Sequence, residues 1–301
     1  MIPVILVLAI IFCLPDQALA WGAGTHLQLG LAVLDNLGSL PPAIAATIGG
    51  ASRDFLYGCI AADIIVGKKF THYLLHCHRW QIGRTVLQRA QTPSQQACAY
   101  GYLAHLAADT IAHNYYVPFK LMKSFPTLAL KHAYWEARFD CFVPKEVWDV
   151  GHQVARDNYR DNDSLLRGVL ADTIFSFGTN KRIFNSILAV SRLDKWQQFQ
   201  RTINEVSRYP LEDQDREEYL ELSREAVLET ICSPDDCQSY LADPTGERAL
   251  AVAEKVRKNL RLLYRSGKLT DRQAATLFDP IKETLRSGIW DADKLASIAG
   301  R

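Results

Sequence analysis

The chain carries almost no net charge: 34 Lys and Arg stand against 33 Asp and Glu, a formal charge of +1. That balance leaves no basic excess for sequence-independent nucleic-acid binding, and no specific nucleic-acid binding is expected. Beyond the first twenty residues no stretch is long and apolar enough to span a bilayer. Strict period-2 alternation bounded by turns is missing, which excludes a β-rich region. There are no internal repeats and no low-complexity linker. Histidine is absent after position 152: all eight lie between 26 and 152, so any imidazole chemistry belongs to the N-terminal half.

At the N-terminus, Ile2 to Leu14 is almost wholly apolar and leads into Pro15, Asp16 and small residues at Ala18 and Ala20. This length fits the core of an export signal and is short for a membrane span. Residues 1–20 are read as a cleavable signal peptide, giving a secreted or periplasmic protein that begins at Trp21. Bulky Phe12 ahead of Cys13 argues against a lipid anchor. Six cysteines remain: Cys59, Cys77, Cys98, Cys141, Cys232 and Cys237. Export permits disulfides, and Cys232 with Cys237, around Ser233-Pro234, is the local pair expected to bridge.

Helical signals are frequent and the expected fold class is all-α. Thr92-Pro93-Ser94-Gln95 reads as a capping box with Pro at the first helical position, opening a helix over 93–117. Thr270-Asp271-Arg272-Gln273 repeats the box. From Glu247 to Arg265, Leu250, Val252, Val256, Leu260 and Leu263 recur at helical spacing. Further helices are expected near 25–38, 41–48, 80–90, 127–142, 144–158, 164–174, 181–192 and 215–231. The histidine distribution divides the chain into a metal-binding helical region, 21–150, and a C-terminal helical region, 151–301, packed on it.

Within the helix over 93–117, His105, Asp109 and His113 stand four apart and share one face. The two histidines are separated by about 12 Å of helical rise, too far to hold one ion together. Asp109, midway, can give one oxygen to each of two ions. His132 and Glu136 stand one turn apart in apolar company. His72, His76 and His78 flank Cys77, a weaker candidate ligand. Asp63 interrupts the apolar run from Gly58 to Ile64, where a carboxylate is costly without a cation or strong donors. Asp54 beside Arg53 reads as an exposed ion pair, and His152 as structural. Each pair alone has an ordinary reading as a hydrogen-bonded or surface contact. Together with His26 and the α-amine of a newly exposed Trp21, the set exceeds the four, usually cysteine-rich, ligands of a structural zinc. It suffices for two or three ions, and the fold is read as a multi-helix bundle enclosing a multinuclear metal site.

In this order the elements resemble the bacterial zinc-dependent phospholipase C family and its relatives, the S1/P1-type nucleases. The resemblance covers about residues 21–140. It implies that Trp21, in Trp-Gly-x-x-x-His, binds zinc through its α-amino and carbonyl groups, with His26 as the next ligand. It implies that Asp63, in Gly-x-Ile-Ala-x-Asp, is a ligand and the candidate general base. His105 and Asp109 match the central His-x3-Asp, and His132 with Glu136 the final His-x3-Glu. Between Asp63 and His105 one histidine is required, His78 first and His76 second. Better-known members place the next histidine two residues further from the central Asp than His113 lies here. The Gln-Pro-Leu-His and Gly-Gly-Asn signatures of the nuclease branch are absent, and so is a lipid-binding β-sandwich after residue 150. The implied activity is hydrolysis of a phospholipid or other phosphodiester by a metal-activated water, with Zn2+ as cofactor and peripheral membrane contact. Two other readings stand beside it: a zinc nuclease on the same scaffold, and a non-catalytic exported protein whose zinc holds helices together. Trp80, Tyr115, Tyr116, Tyr134 and Trp135, near the ligands in sequence, are read as core or as pocket walls.

Overall fold

The structure, a computed structural model, describes residues 21–65, 76–127, 130–170, 175–191 and 207–299, with positions 193, 198 and 202. Among them every regular element is helical and there is no strand, as the sequence predicts. The N-terminal half holds α1 (Ala23–Asp35), α2 (Pro42–Gly50), α3 (Ser52–Ala61), α4 (Trp80–Arg89), α5 (Pro93–Ile111) and α6 (Val117–Lys123). The chain continues with α7 (His132–Asp140), α8 (Lys145–Arg156), α9 (Arg160–Val169) and α10 (Phe177–Ser191). Three longer helices follow: α11 (Asp213–Cys232), α12 (Glu247–Arg265) and α13 (Asp271–Ser287).

Helix α5 is the axis of the fold. Thr92 caps it by accepting from the Gln95 N–H at 3.2 Å, with Pro93 at the first position. The expected box closes differently: Gln95 Oε1 accepts from the Gln91 N–H at 2.9 Å, not from Thr92. The Thr270 box at the head of α13 is complete in both directions. From Gly101 to Ile111 α5 is buried on every side, the condition of a core helix. Against it lies α3, whose approach depends on two glycines. A Cβ on Gly58 would stand 2.0 Å from the Cys98 carbonyl oxygen, and one on Gly101 2.1 Å from that of Phe55. The two backbones therefore touch, and α3 delivers the turn Ala62–Ile64, with Asp63, to the flank of α5.

The expectation of one α-helix over 93–117 is corrected. α5 ends at Ile111, a π turn runs from Ala112 to Tyr116, and α6 follows. Pro118 supplies the cause. It has no N–H for the Asn114 carbonyl four residues back, and its ring crowds that carbonyl, so the chain widens upstream. His113 therefore lies in the π turn and not on the α-helical face of His105 and Asp109.

The C-terminal helices wrap this axis, α11 against α5 and α12 against α6. A partly buried ionic network fastens them. Lys120 Nζ meets Asp215 at 2.9 Å, and Lys282 Nζ meets Asp215 and Glu218 at 2.8 Å each. Tyr115, in the π turn, donates to Glu218 at 2.9 Å. Burial holds the Lys120 ammonium down at about 8, against the pull of Asp215.

Three smaller expectations are also corrected. Cys232 and Cys237 are not bridged: Cys237 faces the Thr230 hydroxyl and Cys232 the Ser39 carbonyl, because the helix end between them turns the thiols apart. Arg53 pairs with Asp157 at 2.7 Å, leaving Asp54 to accept from Asn162 at 2.6 Å. The helix expected over 127–142 spans only His132–Asp140.

Candidate metal centre

Helix α1 begins without a capping side chain of its own. The cap comes from α7: Asp140 Oδ1 accepts from the Thr25 N–H at 2.9 Å and the Thr25 hydroxyl at 2.7 Å, while Oδ2 accepts from the Gly24 N–H at 3.1 Å. Burial raises the Asp140 carboxyl to about 6, against the pull of those bonds. Just upstream, the indole of Trp21 is fully buried against Tyr116 and Phe139 and donates to the Ala108 carbonyl at 3.0 Å. Trp21 is thus pinned one residue from Asp109, and α7 carries at once His132, Glu136 and the anchor for the helix of His26. The sequence reading missed Asp140, although it continues the four-residue spacing of His132 and Glu136.

Around Asp109 the side chains converge. Its Oδ1 lies 3.2 Å from His26 Nε2; its Oδ2 lies 3.2 Å from His105 Nε2 and 3.3 Å from His78 Nε2. His78 Nε2 is also 3.3 Å from Asp63 Oδ1 and 3.1 Å from His105 Nε2. On the far side, Glu136 Oε1 stands 2.7 Å from His132 Nε2 and 3.6 Å from His113 Nε2. Three groups of donor atoms result, each mutually within 4.8 Å: His26, His105 and Asp109; Asp63, His78 and His105; His113, His132 and Glu136. Asp109 presents one oxygen to His26 and the other to His78 and His105, whereas His113, its expected partner on the other side, groups with His132 and Glu136.

Hydrogen bonding on the outer side of the rings decides what faces inward. His105 Nδ1 lies 2.9 Å from the Cys59 carbonyl, and His113 Nδ1 lies against the Pro244 carbonyl. A carbonyl only accepts, so both Nδ1 atoms carry hydrogen, and each ring, when neutral, turns a bare Nε2 lone pair inward. In that form the lone pairs meet carboxylate oxygens with no hydrogen between them. His26 Nε2, both oxygens of Asp109 and His113 Nε2 are buried and make no hydrogen bond among the described residues. Buried polar atoms so arranged need a cation, and nitrogen with carboxylate oxygen is a donor set that zinc accepts. The residues present therefore fit zinc.

The electrostatics of the metal-free centre agree. Burial drives the His26 imidazole below its usual range, and neighbouring His105 adds to this. Burial acts the same way on His105, but Asp109 and Asp63 outweigh it and its affinity for protons rises. Burial pushes the Asp109 carboxyl up, yet His105 and His26 hold it well below the ordinary carboxylate range. Glu136 is raised well above that range by burial, more than His113 can offset. Without metal, His105 and Glu136 hold protons more readily while His26 and Asp109 give them up, and zinc has to displace the protons of the first two.

Of the remaining candidates, His76 accepts from the His78 N–H at 3.2 Å and forms a separate potential group with Cys77 and His78. The Cys77 thiol lies 3.2 Å from His78 Nδ1. His72 lies outside the described residues, and His152, on α8, joins none of these groups. The nearby aromatics are chiefly packing: Trp135 and Tyr116 are fully buried, and Tyr116 donates to the Trp135 carbonyl at 2.7 Å.

Comparison with known proteins bears on this centre. No curated protein and no solved structure matches the chain. Residues 25–174, the segment that holds His26, Asp63, His78, His105, Asp109, His113, His132 and Glu136, match the family model of zinc dependent phospholipase C. By that segment the chain belongs to the zinc-dependent phospholipase C family.

Proposed function

We propose that the protein is an exported phosphodiester hydrolase that cleaves phospholipids in the phospholipase C manner, releasing diacylglycerol and a phosphorylated head group. The observation that carries this is the convergence of bare imidazole nitrogens and carboxylate oxygens in three adjoining groups. In this reading two or three zinc ions are held by Trp21, His26, Asp63, His78, His105, Asp109, His113, His132 and Glu136. Bound zinc would polarise the phosphate oxygens and lower the pKa of a water toward about 7. The chain's own part is to orient the reactants and move a proton. Asp63, on the turn after α3, takes the proton of the attacking water. Asp109 stays anionic under the influence of His105 and His26, and the Cys59 and Pro244 carbonyls fix the direction of two rings.

Export with cleavage after Ala20 belongs to the same proposal, since it makes Trp21 the first residue where its indole is already pinned beside Asp109. The test combines N-terminal sequencing, zinc content, and head-group release from phospholipid vesicles measured beside hydrolysis of single-stranded DNA. The expected result is a chain starting at Trp21 with two or three zinc ions and release of phosphorylated head group. DNA hydrolysis without lipid cleavage would move the reading to the nuclease branch. Asp63→Asn is expected to lower turnover at least 100-fold, within the ~10²–10⁴ range of a general base, with melting unchanged. Wild-type turnover in that variant would remove Asp63 from the mechanism.

Peripheral membrane contact is supported by the outer face of α12. Lys255, Lys258, Leu262 and Arg265 share one side of the helix, Leu262 is 59 % exposed, and no acidic residue occurs between 255 and 270. A cationic face bearing an exposed leucine suits an anionic lipid surface. The protein is expected to sediment with vesicles containing phosphatidylserine severalfold better than with pure phosphatidylcholine. Lys258→Glu with Arg265→Glu should abolish that preference; equal binding of both vesicles by the wild type would dismiss this face.

A further inference from the structure

Among the described residues after the family-matched segment, 242–246, between α11 and α12, reach the centre. The Pro244 carbonyl takes the Nδ1 hydrogen of His113, and the Asp243 carbonyl takes the Asn114 Nδ2 hydrogen at 2.9 Å. The Ala242 carbonyl takes the Trp80 indole hydrogen at 2.8 Å, two residues past His78. Three successive carbonyls are thus spent on residues at or beside the donor groups. The turn that aims them is built locally: the Asp243 carboxylate accepts from the Thr245 N–H at 3.1 Å and from the Thr245 hydroxyl at 2.6 Å. It closes on Gly246, whose φ of +58° lies in the left-handed region and whose missing Cβ would stand 2.4 Å from both the Cβ and the carbonyl oxygen of His113.

We infer that this turn is a positioning element of the metal centre, which selects the Nδ1–H tautomer of His113 and aims its Nε2 at Glu136. The physical need is specific. His113 sits in a π turn, where the regular ladder that would fix its direction is interrupted. A neutral imidazole there has two tautomers, and only the one with hydrogen on Nδ1 leaves Nε2 free for an ion. Outer partners of this kind typically govern about 10–100-fold in metal affinity. The chain after residue 152, which carries no histidine, thereby takes part in the chemistry through backbone atoms. The inference rests on the zinc reading for its consequence but not for its geometry, and the experiment separates the two.

Two-bond ¹H–¹⁵N spectra of the metal-free protein distinguish the histidine tautomers. His113 is expected as Nδ1–H in the wild type and as the other tautomer or an exchanging mixture in Gly246→Val. Zinc content read in parallel is expected to fall by one ion per chain in Gly246→Val, with the far-UV spectrum of a helical protein retained. Asp243→Ala, which loosens the turn without entering the centre, should weaken the same ion about tenfold or more, and Asp243→Asn, whose oxygen still accepts from the Thr245 N–H while its amide nitrogen can donate to the Thr245 hydroxyl, should largely restore it. If Gly246→Val does not fold, the Asp243 pair decides. A wild-type His113 carrying its hydrogen on Nε2, or full zinc content in Asp243→Ala, would overturn the inference. A wild-type protein that binds no zinc but shows the Nδ1–H tautomer would overturn the zinc reading and leave the positioning role standing.

Discussion

Asp109→Asn is expected to lower phosphodiester turnover by about 10³-fold or more and to release zinc from two donor groups at once. The size of the effect follows from where its two oxygens point. Oδ1 faces His26, and Oδ2 faces His78 and His105, so one side chain serves both groups. An amide keeps one acceptor oxygen and replaces the other by an N–H donor, which cannot bind a cation and would tie up a facing imidazole nitrogen as its acceptor. The charge matters as much as the shape. His105 and His26 keep Asp109 ionised against full burial, and a neutral group would leave the converging rings without their common counter-charge. The measurement is zinc by mass spectrometry together with hydrolysis of a chromogenic phosphodiester. A variant that retains all its zinc and loses less than about threefold in rate would show that Asp109 does not bridge, contrary to the placement argued here.

How the residues came to be readable differs from one to the next. His105 and Asp109 were legible because α5 is regular, and regular helices keep residues four apart on one face. Asp63 was legible for the opposite reason, as a charge in a run too apolar to tolerate it. Helix α3, which carries Asp63 to the centre, was not among the expected helices. Every residue from Phe55 to Ala61 is buried, and a segment buried on all sides has no polar stripe and so no period to read. The π turn that holds His113 was not legible because it is set by Pro118, five residues later. The Cys59 and Pro244 carbonyls have no signature at all, since every residue has a carbonyl and only the fold decides which one meets an imidazole. The match to the family stops at residue 174, short of Pro244. Side chains that bind are thus visible in sequence, whereas the backbone atoms that aim them are visible only in three dimensions.

The same distinction sets the second large effect. Gly58→Ala is expected to cost about 3 kcal/mol or more, and Gly101→Ala a similar amount, although alanine is the better helix former by about 1 kcal/mol. In each case the new methyl would meet a backbone carbonyl oxygen, 2.0 Å away at Gly58 and 2.1 Å at Gly101, and a helix backbone cannot step aside as a side chain can. Helices α3 and α5 must separate by on the order of 1 Å, in a core packed too densely to refill the gap cheaply. For a chain of this size the melting temperature of the metal-free protein should fall by about 5 °C or more. The damage extends beyond stability, because the Cys59 carbonyl that orients His105 from 2.9 Å moves away with α3, as does Asp63. Loss of zinc from the group of Asp63, His78 and His105 should therefore accompany the loss of stability. Gly168→Ala, inside α9 with nothing within 4 Å of its would-be Cβ, is the control and should be neutral or stabilising by up to about 1 kcal/mol. Thermal melts with and without chelator, read beside zinc content, test all three variants. If Gly58→Ala melts with the wild type and keeps its zinc, the two helices are not in backbone contact, and the position of Asp63 has some other cause.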